Sequence, residues 1–447
     1  MLSALAFLAF CVVCSIWAFT RHPVYGFYFY LASFYVHPPS RWWSYALPDL
    51  RWALLSAAIT VLAVMFHRGR LAPKPAPWIA NTPGTVLTLY TVWMWIQMPW
   101  ALDFPTHFSG SVQYLKYLVA IWFVYRICDS KETIRQVMLG HVLGCTVLGI
   151  FCQFTGRSGG RLDGVGGPGL DEANALAMFL ATGVICCFGL FMTWSGWRRW
   201  AALLMLAIIG NGFVLANSRG AFLGLVAGGL TVMLCKAREH RRVFWAIAMV
   251  GIVGFAVIVD TTFIERMFTI GDVVEQSEDA DISARSRMEI MKAQVHMAAD
   301  YPLGAGHRGT AELSPRYLDR KWLTTSGVGD ESEAARSSHN TFMTTLVEQG
   351  IPGAILFLIL VFWIFGAVVR VRRLNRMNVD PELITLGSCL VGGLMVVIVA
   401  GNSTDYLLAE VQFWLYAALV SLLQIGEARK PANALAPAPL SPLPLRR

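Results

Sequence analysis

The chain has 447 residues, of which 56% are hydrophobic and only 14% are charged. This share of charged side chains is too small to cover the surface of a soluble globule of that size. The net charge of +8 comes mostly from short basic clusters between apolar runs, so it reports membrane topology and does not indicate nucleic-acid binding. We therefore predict an all-α polytopic membrane protein.

Apolar runs of about 17–25 residues, the length that a bilayer requires of a helix, recur along the chain. They predict about 12 transmembrane helices, or 13 if a short second run is counted. The first run lacks a basic n-region and a clear cleavage site, so we interpret it as a retained helix and not as a signal peptide. The candidate spans are 2–19, 24–36, 48–66, 83–100, 112–127, 133–154, 173–193, 200–216, 219–235, 243–261, 340–369, 383–400 and 405–425.

Basic clusters occur at every second connection, which marks those connections as cytoplasmic. The clusters lie around Arg68, Arg126, Arg198, Arg238 and Arg372. The alternate connections then face outward, whereas the side of the N-terminus and of the first two spans stays open. These outward connections are 37–47, 101–111, 155–171, 217–218, 262–339 and 401–404.

The segment Phe263–Ser338 is the only long polar insertion, and it holds 13 of the 28 acidic residues. Within it, Ala284–Ala299 contains no helix breaker and places Met288, Met291 and Val295 on one face. This spacing predicts an amphipathic helix that rests on the membrane surface. A Gly/Pro turn then follows the helix. Chemistry on a polar substrate is expected to centre on this insertion.

Three arginines lie at outward ends of apolar runs, where a charge is costly. Arg219 follows a very tight outward turn, Arg161 lies in a glycine-rich connection, and Arg287 opens the surface helix. Guanidinium groups bind phosphate oxygens in bidentate geometry, so all three are candidate anion-binding residues. The structural alternative is that each side chain snorkels to lipid headgroups or pairs with Asp163 or Glu172.

His339 lies where the polar insertion meets the next apolar run. A neutral imidazole at a water-exposed helix start can accept a proton near physiological pH, which makes His339 a candidate general base. The alternative is a polar residue near a helix cap that takes no part in chemistry.

Metal and cofactor motifs find little support. Asp279 and Asp281 form a D-x-D pair, but they lie in an acidic run without a strand-rich nucleotide domain, which favours a solvated loop. Cys11 and Cys14 lie inside an apolar span, which favours packing over metal or redox chemistry. A P-loop, a G-x-S-x-G elbow and an H-E-x-x-H pair are all absent from the sequence. We predict no cofactor, no metal and no disulfide in the insertion.

Four short motifs occur in an order that resembles the bacterial O-antigen ligase and polymerase superfamily. Each motif is weak alone, and the order, with a long outward loop before the histidine, is what carries the resemblance. The motifs are Arg161 with Gly167-Pro168-Gly169 and then Asp171-Glu172-Ala173-Asn174; Ser218-Arg219-Gly220; Arg287 before Pro302-Leu303-Gly304-Ala305-Gly306; and His339-Asn340 with Leu346, Glu348, Gly350 and Gly353. After the arginine of the surface helix, Met291 and Met297 stand where the family often has tryptophan.

The resemblance implies a multi-pass glycosyltransferase of the GT-C type in the bacterial inner membrane, with its active site facing the periplasm. It implies metal-independent, inverting transfer of a glycan from undecaprenyl diphosphate to a hydroxyl of lipid A–core, with no nucleic-acid partner. His339 would be the catalytic base, and Arg219, Arg287 and Arg161 would bind the donor diphosphate. Polysaccharide polymerases and protein O-oligosaccharyltransferases belong to the same superfamily and remain alternatives. A lipid-sugar flippase is the rival from another class, and the gathering of unusual residues at one face favours an enzyme.

The expected organisation follows from these predictions. Residues 1–261 carry helices one to about ten, and 262–339 form a periplasmic loop with short surface helices. Residues 340–428 carry the C-terminal transmembrane helices, and 429–447, which are rich in Pro and Ala, form a disordered cytoplasmic tail.

Overall fold

The computed structural model describes residues 2–155, 162, 164–167, 169–235, 282–323, 335–338 and 340–429, with the backbone alone for 282–287. Its regular elements are α-helices joined by short 3-10 turns. The helices are α1 (Leu2–Thr20), α2 (Val24–Tyr35), α3 (Trp52–Phe66), α4 (Thr82–Ile96), α5 (Phe104–Ile127), α6 (Lys131–Phe154), α7 (Ala173–Thr193), α8 (Gly196–Ala216), α9 (Arg219–Cys235), α10 (Ile282–Asp300), α11 (Gly309–Tyr317), α12 (Thr341–Arg376), α13 (Pro381–Ala400) and α14 (Glu410–Ala428).

Every predicted span within the described residues corresponds to one of these helices, whereas the span 243–261 lies outside them. Seven of the described helices are long and apolar enough to cross a membrane, namely α1, α6, α7, α8, α12, α13 and α14. The described part of the chain is thus all-helical, consistent with a multi-pass membrane protein. The total of 12 or 13 spans and the GT-C architecture stay predictions.

Helix α13 lies at the centre of the bundle, with 83% of its apolar window buried inside the protein. Glycines permit its close packing against α9: a Cβ added at Gly228 would lie 2.8 Å from the carbonyl oxygen of Gly392. Small residues at helix crossings let backbones approach and gain dispersion contacts that lipid does not provide. The α9–α13 contact therefore holds the first turn of α9, where Arg219 lies, in a fixed position.

The cysteines serve packing. All nine lie within described helices or at their ends, are buried and are free. Cys11 and Cys14 belong to a small apolar cluster in which Phe7, Trp43 and Trp52 are also buried. The packing interpretation of the Cys-x-x-Cys pair is confirmed.

The predicted surface helix is present as α10 (Ile282–Asp300), close to its expected bounds. Met288, Met291 and Val295 are all exposed, as an apolar face turned toward a membrane requires. The opposite face buries Ala293 and Met297 in a cluster with Leu313 of α11 and Val347 of α12. Helix α10 is thereby attached to the start of α12, beside the position of His339.

Helix α12 is interrupted at Gly350, whose φ of 66° is non-helical. The Pro302–Gly306 turn fills the resulting notch: the Ala305 amide donates to Val347 O at 2.9 Å, and the Ile351 amide donates to Pro302 O at 2.9 Å. A Cβ at Gly350 would collide with the backbone of Leu303. Gly304 and Gly350 therefore serve one purpose, the close docking of this turn against the kink.

Candidate functional site

A polar cavity of about 990 Å³ opens at the end of the bundle where the predicted outward connections meet. We call it the polar cavity. Its walls come from the start of α5, the approach to α7, the start of α11, the residues before α12 and the α13–α14 connection. It is lined by Pro105, Thr106, Ser109, Gly110, Gln113, Glu172, His307, Arg308, Thr310, Ala311, Ser337, Ser338, Glu348, Thr404, Asp405, Leu407 and Leu408.

Of the four predicted site residues, the structure describes Arg219 in full and Arg287 by its backbone alone, and neither lines the polar cavity. Arg219 is the first residue of α9, and Arg287 lies in the first half of α10, where only the backbone is described. Arg161 and His339 lie outside the described residues. The roles assigned to all four from the sequence therefore stay predictions. The described residues next to them in the sequence show where the surrounding segments are anchored.

The segment on the N-terminal side of His339 is anchored to α10. Ser338 lines the polar cavity and accepts a hydrogen bond from Gln294 Nε2 at 2.8 Å, and both side chains are buried. Gln294 follows Arg287 by seven residues, two turns of the same helix, or about 10 Å along its axis. This contact holds Ser338 against the face of α10 on which Arg287 has its register position.

The segment on the C-terminal side is anchored to the α13–α14 connection. Asn340 caps α12, accepting from the Phe342 amide at 2.9 Å. Thr341 donates its hydroxyl to Thr404 O at 2.9 Å and accepts from the Tyr406 amide at 2.8 Å. Asp405 lies between Thr404 and Tyr406. Thr341, two residues after His339 in the sequence, is therefore held against the connection that carries Asp405.

The Ser-Arg-Gly turn is fixed from two sides. The Ser218 hydroxyl donates to Asn174 Oδ1 at 2.8 Å, and Asn174 Nδ2 donates to Glu172 Oε1 at 2.6 Å. A Cβ at Gly220 would collide with Ser403, so only glycine allows α9 to approach the α13–α14 connection this closely. Arg219 stands between these two contacts, and three stretches that the sequence separates widely meet around it.

A cluster of ionisable groups lies at the inner wall of the polar cavity. His307 Nδ1 and Glu348 Oε2 are 3.7 Å apart, and both side chains are buried. Asp405 faces the cavity and accepts from the Leu407 amide at 2.9 Å. Although Asp405 is exposed toward the cavity, desolvation by the surrounding protein and the carboxylate of Glu348 raise its pKa above the usual range. Burial lowers the pKa of His307 to about 4, so this imidazole is neutral at physiological pH.

A second histidine fixes the backbone of the first. His107 Nε2 lies 2.8 Å from the carbonyl oxygen of Met94, which can only accept, so Nε2 of His107 carries the proton. Its Nδ1 then accepts from the His307 amide at 2.9 Å. A Cβ at Gly110 would collide with the His307 ring, so the ring packs directly on the backbone of α5. His307 is therefore rigidly placed, and its Nε2 has no partner within the described part of the chain.

Sequence reasoning missed Asp405 and His307 as site residues and quoted Glu348 only as part of a motif. Asp405 had a usable signal, because a carboxylate at the outward end of an apolar run is costly unless it has a role. His307 had none, since its place depends on how the Pro302–Gly306 turn docks against the kinked α12.

The comparison with known families supports the motif analysis. Residues 202–358 match a family model described as O-antigen ligase. This match supports the similarity of the chain to the O-antigen ligase superfamily. The matched segment is less than half of the chain, and it contains Arg219, Arg287, His307, His339 and Glu348. A search of the curated proteins found no match.

The resemblance inferred from the four motifs is thus confirmed at the level of the superfamily. Its members are glycosyltransferase-type ligases and polymerases, which supports a general enzymatic role for this chain. The match to an O-antigen ligase family model, in a chain whose described residues include seven helices apolar enough to cross a membrane, supports a multi-pass membrane protein.

Proposed function

We propose that this protein is an O-antigen ligase. It would transfer a glycan from undecaprenyl diphosphate to a hydroxyl of lipid A–core at the periplasmic face of the inner membrane, with inversion and without a metal. The observation that supports this proposal best is the convergence of the motif-bearing segments on the polar cavity. The neighbours of His339, the Ser-Arg-Gly turn and the kinked α12 all border or adjoin it.

The proposed reaction is a single displacement. The acceptor oxygen attacks the anomeric carbon, the bond from that carbon to the diphosphate oxygen breaks, and the electron pair of that bond stays on the diphosphate. The proton of the acceptor hydroxyl passes to the His339 imidazole, a transfer that contributes on the order of 10²–10⁴-fold. Attack from the side opposite to the leaving group inverts the anomeric centre.

The leaving diphosphate gains negative charge as the bond breaks, so fixed cations lower the barrier. Arg219, Arg287 and Arg161 are proposed to carry this role because a guanidinium binds phosphate oxygens through two parallel hydrogen bonds. The Ser218–Asn174 bond at 2.8 Å and the close approach of Gly220 to Ser403 support a preorganised position for Arg219. A group held in place before the reaction needs no reorganisation during it.

The acidic side of the cavity suits the acceptor. His307 is neutral, because its pKa is lowered to about 4, and its Nε2 has no partner among the described residues. It can therefore exchange a hydrogen bond with a saccharide hydroxyl. Glu172, which lines the same cavity, can accept from sugar hydroxyls and would repel a diphosphate, whereas Asp405, whose pKa is raised, can exchange hydrogen bonds with those hydroxyls. We thus assign the arginines to the donor and these groups to the acceptor.

Transfer measured with purified protein tests the proposal. Undecaprenyl-diphosphate-linked glycan is supplied with one of three acceptors: lipid A–core, a second donor molecule, or a protein with Ser/Thr sites. We expect product with lipid A–core. Product with donor alone would identify a polymerase, product on protein would identify an O-oligosaccharyltransferase, and either result without lipid A–core product would overturn the ligase assignment.

A further inference from the structure

A second cavity, of about 850 Å³, opens from the polar cavity and runs into the bundle between α2, α3, α5 and the start of α14. We call it the lateral groove. The two cavities share Gln113, Asp405 and Leu408, so a bound molecule can occupy both. Along α5 the groove extends from Gln113 to Phe123, which corresponds to about 15 Å of helix.

Polarity changes along the groove. Its mouth carries Lys116, Arg51 and His37, whereas its deeper part is lined by residues such as Ala57, Ala120 and Phe123. Lys116 and Arg51 are exposed and form no salt bridge within the described part of the chain. A cationic mouth above an apolar channel is complementary to an amphipathic molecule with an anionic headgroup and a hydrocarbon tail.

Glu410 is the exception to this gradient. The residue is only 8% exposed and lines the groove. The Tyr30 hydroxyl interacts with its carboxyl group through a hydrogen bond, and the carboxyl oxygen Oε1 is left without a partner within the described residues. Tyr30 lies five residues, or about 7 Å of helix, inside the end of α2 at Tyr35, beyond which the mouth residue His37 lies. A buried carboxyl oxygen without a donor is costly, so a ligand that brings a donor to this depth is favoured.

The two lipid substrates of the proposed reaction differ at that depth. A polyprenyl chain is a pure hydrocarbon beyond its diphosphate, and it offers no donor to a carboxyl group. An acylated glucosamine lipid carries amide N–H groups and 3-hydroxyl groups near the start of its acyl chains, and phosphates on its sugars. Only the second lipid satisfies Glu410 and the cationic mouth together.

We propose that the lateral groove is the acceptor site, and that Glu410 recognises the amide or hydroxyl donors of an acylated glucosamine lipid. The sugars of this lipid then extend through the shared residues into the polar cavity, while its acyl chains occupy the apolar depth. This inference rests on the proposed function, because it assigns one of the two substrates of that reaction to a surface.

Direct binding tests the assignment without requiring turnover. Purified full-length protein in nanodiscs is titrated with lipid A or with undecaprenyl diphosphate, and binding is measured for wild type, Glu410→Gln and Glu410→Ala. Glu410→Ala should weaken lipid A binding roughly ten-fold or more, because a hydrogen bond to a carboxylate is lost. Glu410→Gln retains an acceptor oxygen and should lose less. Undecaprenyl diphosphate binding should stay unchanged.

The matched control is Glu427→Gln, which removes a carboxylate from the far end of the same helix, where Glu427 pairs with Arg370 outside both cavities. Unchanged lipid A binding by Glu410→Ala would overturn the proposal. A loss of undecaprenyl diphosphate binding equal to the loss of lipid A binding would also overturn it and would assign the groove to the donor. Normal transfer by Glu410→Ala would contradict the acceptor-site proposal and leave the ligase proposal standing. Failure of one proposal can therefore be distinguished from failure of the other.

Discussion

Gln294 of α10 donates a buried hydrogen bond of 2.8 Å to Ser338, the residue before His339. This bond connects the helix that carries Arg287 to the segment that carries His339, across 44 residues of sequence. In the proposed mechanism, Arg287 binds the leaving diphosphate and His339 takes the proton of the attacking hydroxyl, so these two residues act on opposite ends of one displacement. Their separation must therefore be fixed, and the Gln294–Ser338 bond is the described contact best placed to fix it.

The first prediction concerns that bond. Gln294→Leu removes the donor while keeping similar volume, and the loss of a buried hydrogen bond costs about 1 kcal/mol or more. We expect turnover to fall about ten-fold while donor binding changes little, since the effect acts through position. Met291→Leu, on the exposed face of the same helix, is the control and should behave as wild type. Equal turnover in the two variants would contradict the positioning role.

The second prediction concerns the kink in α12. Gly350 has φ of 66°, and an added Cβ would meet the Pro302–Gly306 turn, so Gly350→Ala should lower the thermal midpoint and the activity. Gly366 lies in the same helix with no atom within 4 Å of its Cβ position. Gly366→Ala should be neutral or stabilising by up to about 1 kcal/mol. Thermal unfolding in detergent compares the two, and equal midpoints would refute this role of the kink.

The third prediction tests the donor arginines. Arg219→Ala and Arg287→Ala should each lower transfer by about 10²-fold or more, because each removes a group that stabilises the leaving diphosphate. Lysine restores the positive charge but lacks the two parallel N–H donors of a planar guanidinium group, so Arg→Lys should recover only part of the activity. Arg320→Ala, in a short 3-10 turn outside the polar cavity, is the control. Near-normal transfer by Arg219→Ala would refute its assignment.

The fourth prediction concerns His339. His339→Ala should lose about 10²–10⁴-fold in turnover and retain binding of the lipid-linked donor, because the diphosphate contacts are assigned to other residues. In the wild type, the rate should fall as the pH drops below ~6.5, where an ordinary histidine becomes protonated. Loss of donor binding in His339→Ala, or turnover close to wild type, would assign His339 a structural role at the start of α12.

The fifth prediction follows from the raised pKa of Asp405. The folded protein holds this proton to a higher pH than the unfolded chain, whose aspartates titrate near ~3.9. Ionisation of Asp405 therefore lowers the free energy of unfolding as the pH rises above that value. Asp405→Asn removes this cost, so its thermal midpoint relative to wild type should rise between pH 5 and pH 8.

Asp319→Asn is the control for that measurement, since Asp319 has a side chain that is 76% exposed and lies outside the polar cavity. Its midpoint should follow the wild-type curve at each pH. A difference between Asp405→Asn and wild type that is constant or falls with pH would show that Asp405 is not held in its protonated form.

Much of the fold was readable from local pattern. Apolar runs of bilayer length predicted a helix for every described span, and the Met288, Met291 and Val295 stripe predicted both α10 and its exposed face. These features depend on hydropathy and on a 3.6-residue period, which act over a few turns. The order of the motifs likewise predicted the superfamily, since motif order is a property of the sequence itself.

The arrangement of the candidate site depends on tertiary structure. Asp405 shares the polar cavity with Glu348 and His307 only because Gly350 breaks α12 and the Pro302–Gly306 turn docks into the break. The orphaned oxygen of Glu410 is also visible only once α2, α5 and α14 are packed together. The sequence determined by itself where the helices lie and which superfamily motifs they carry, because hydropathy and motif order are local. The tertiary structure decided which polar groups share a cavity, because that depends on helix packing between residues far apart in the chain.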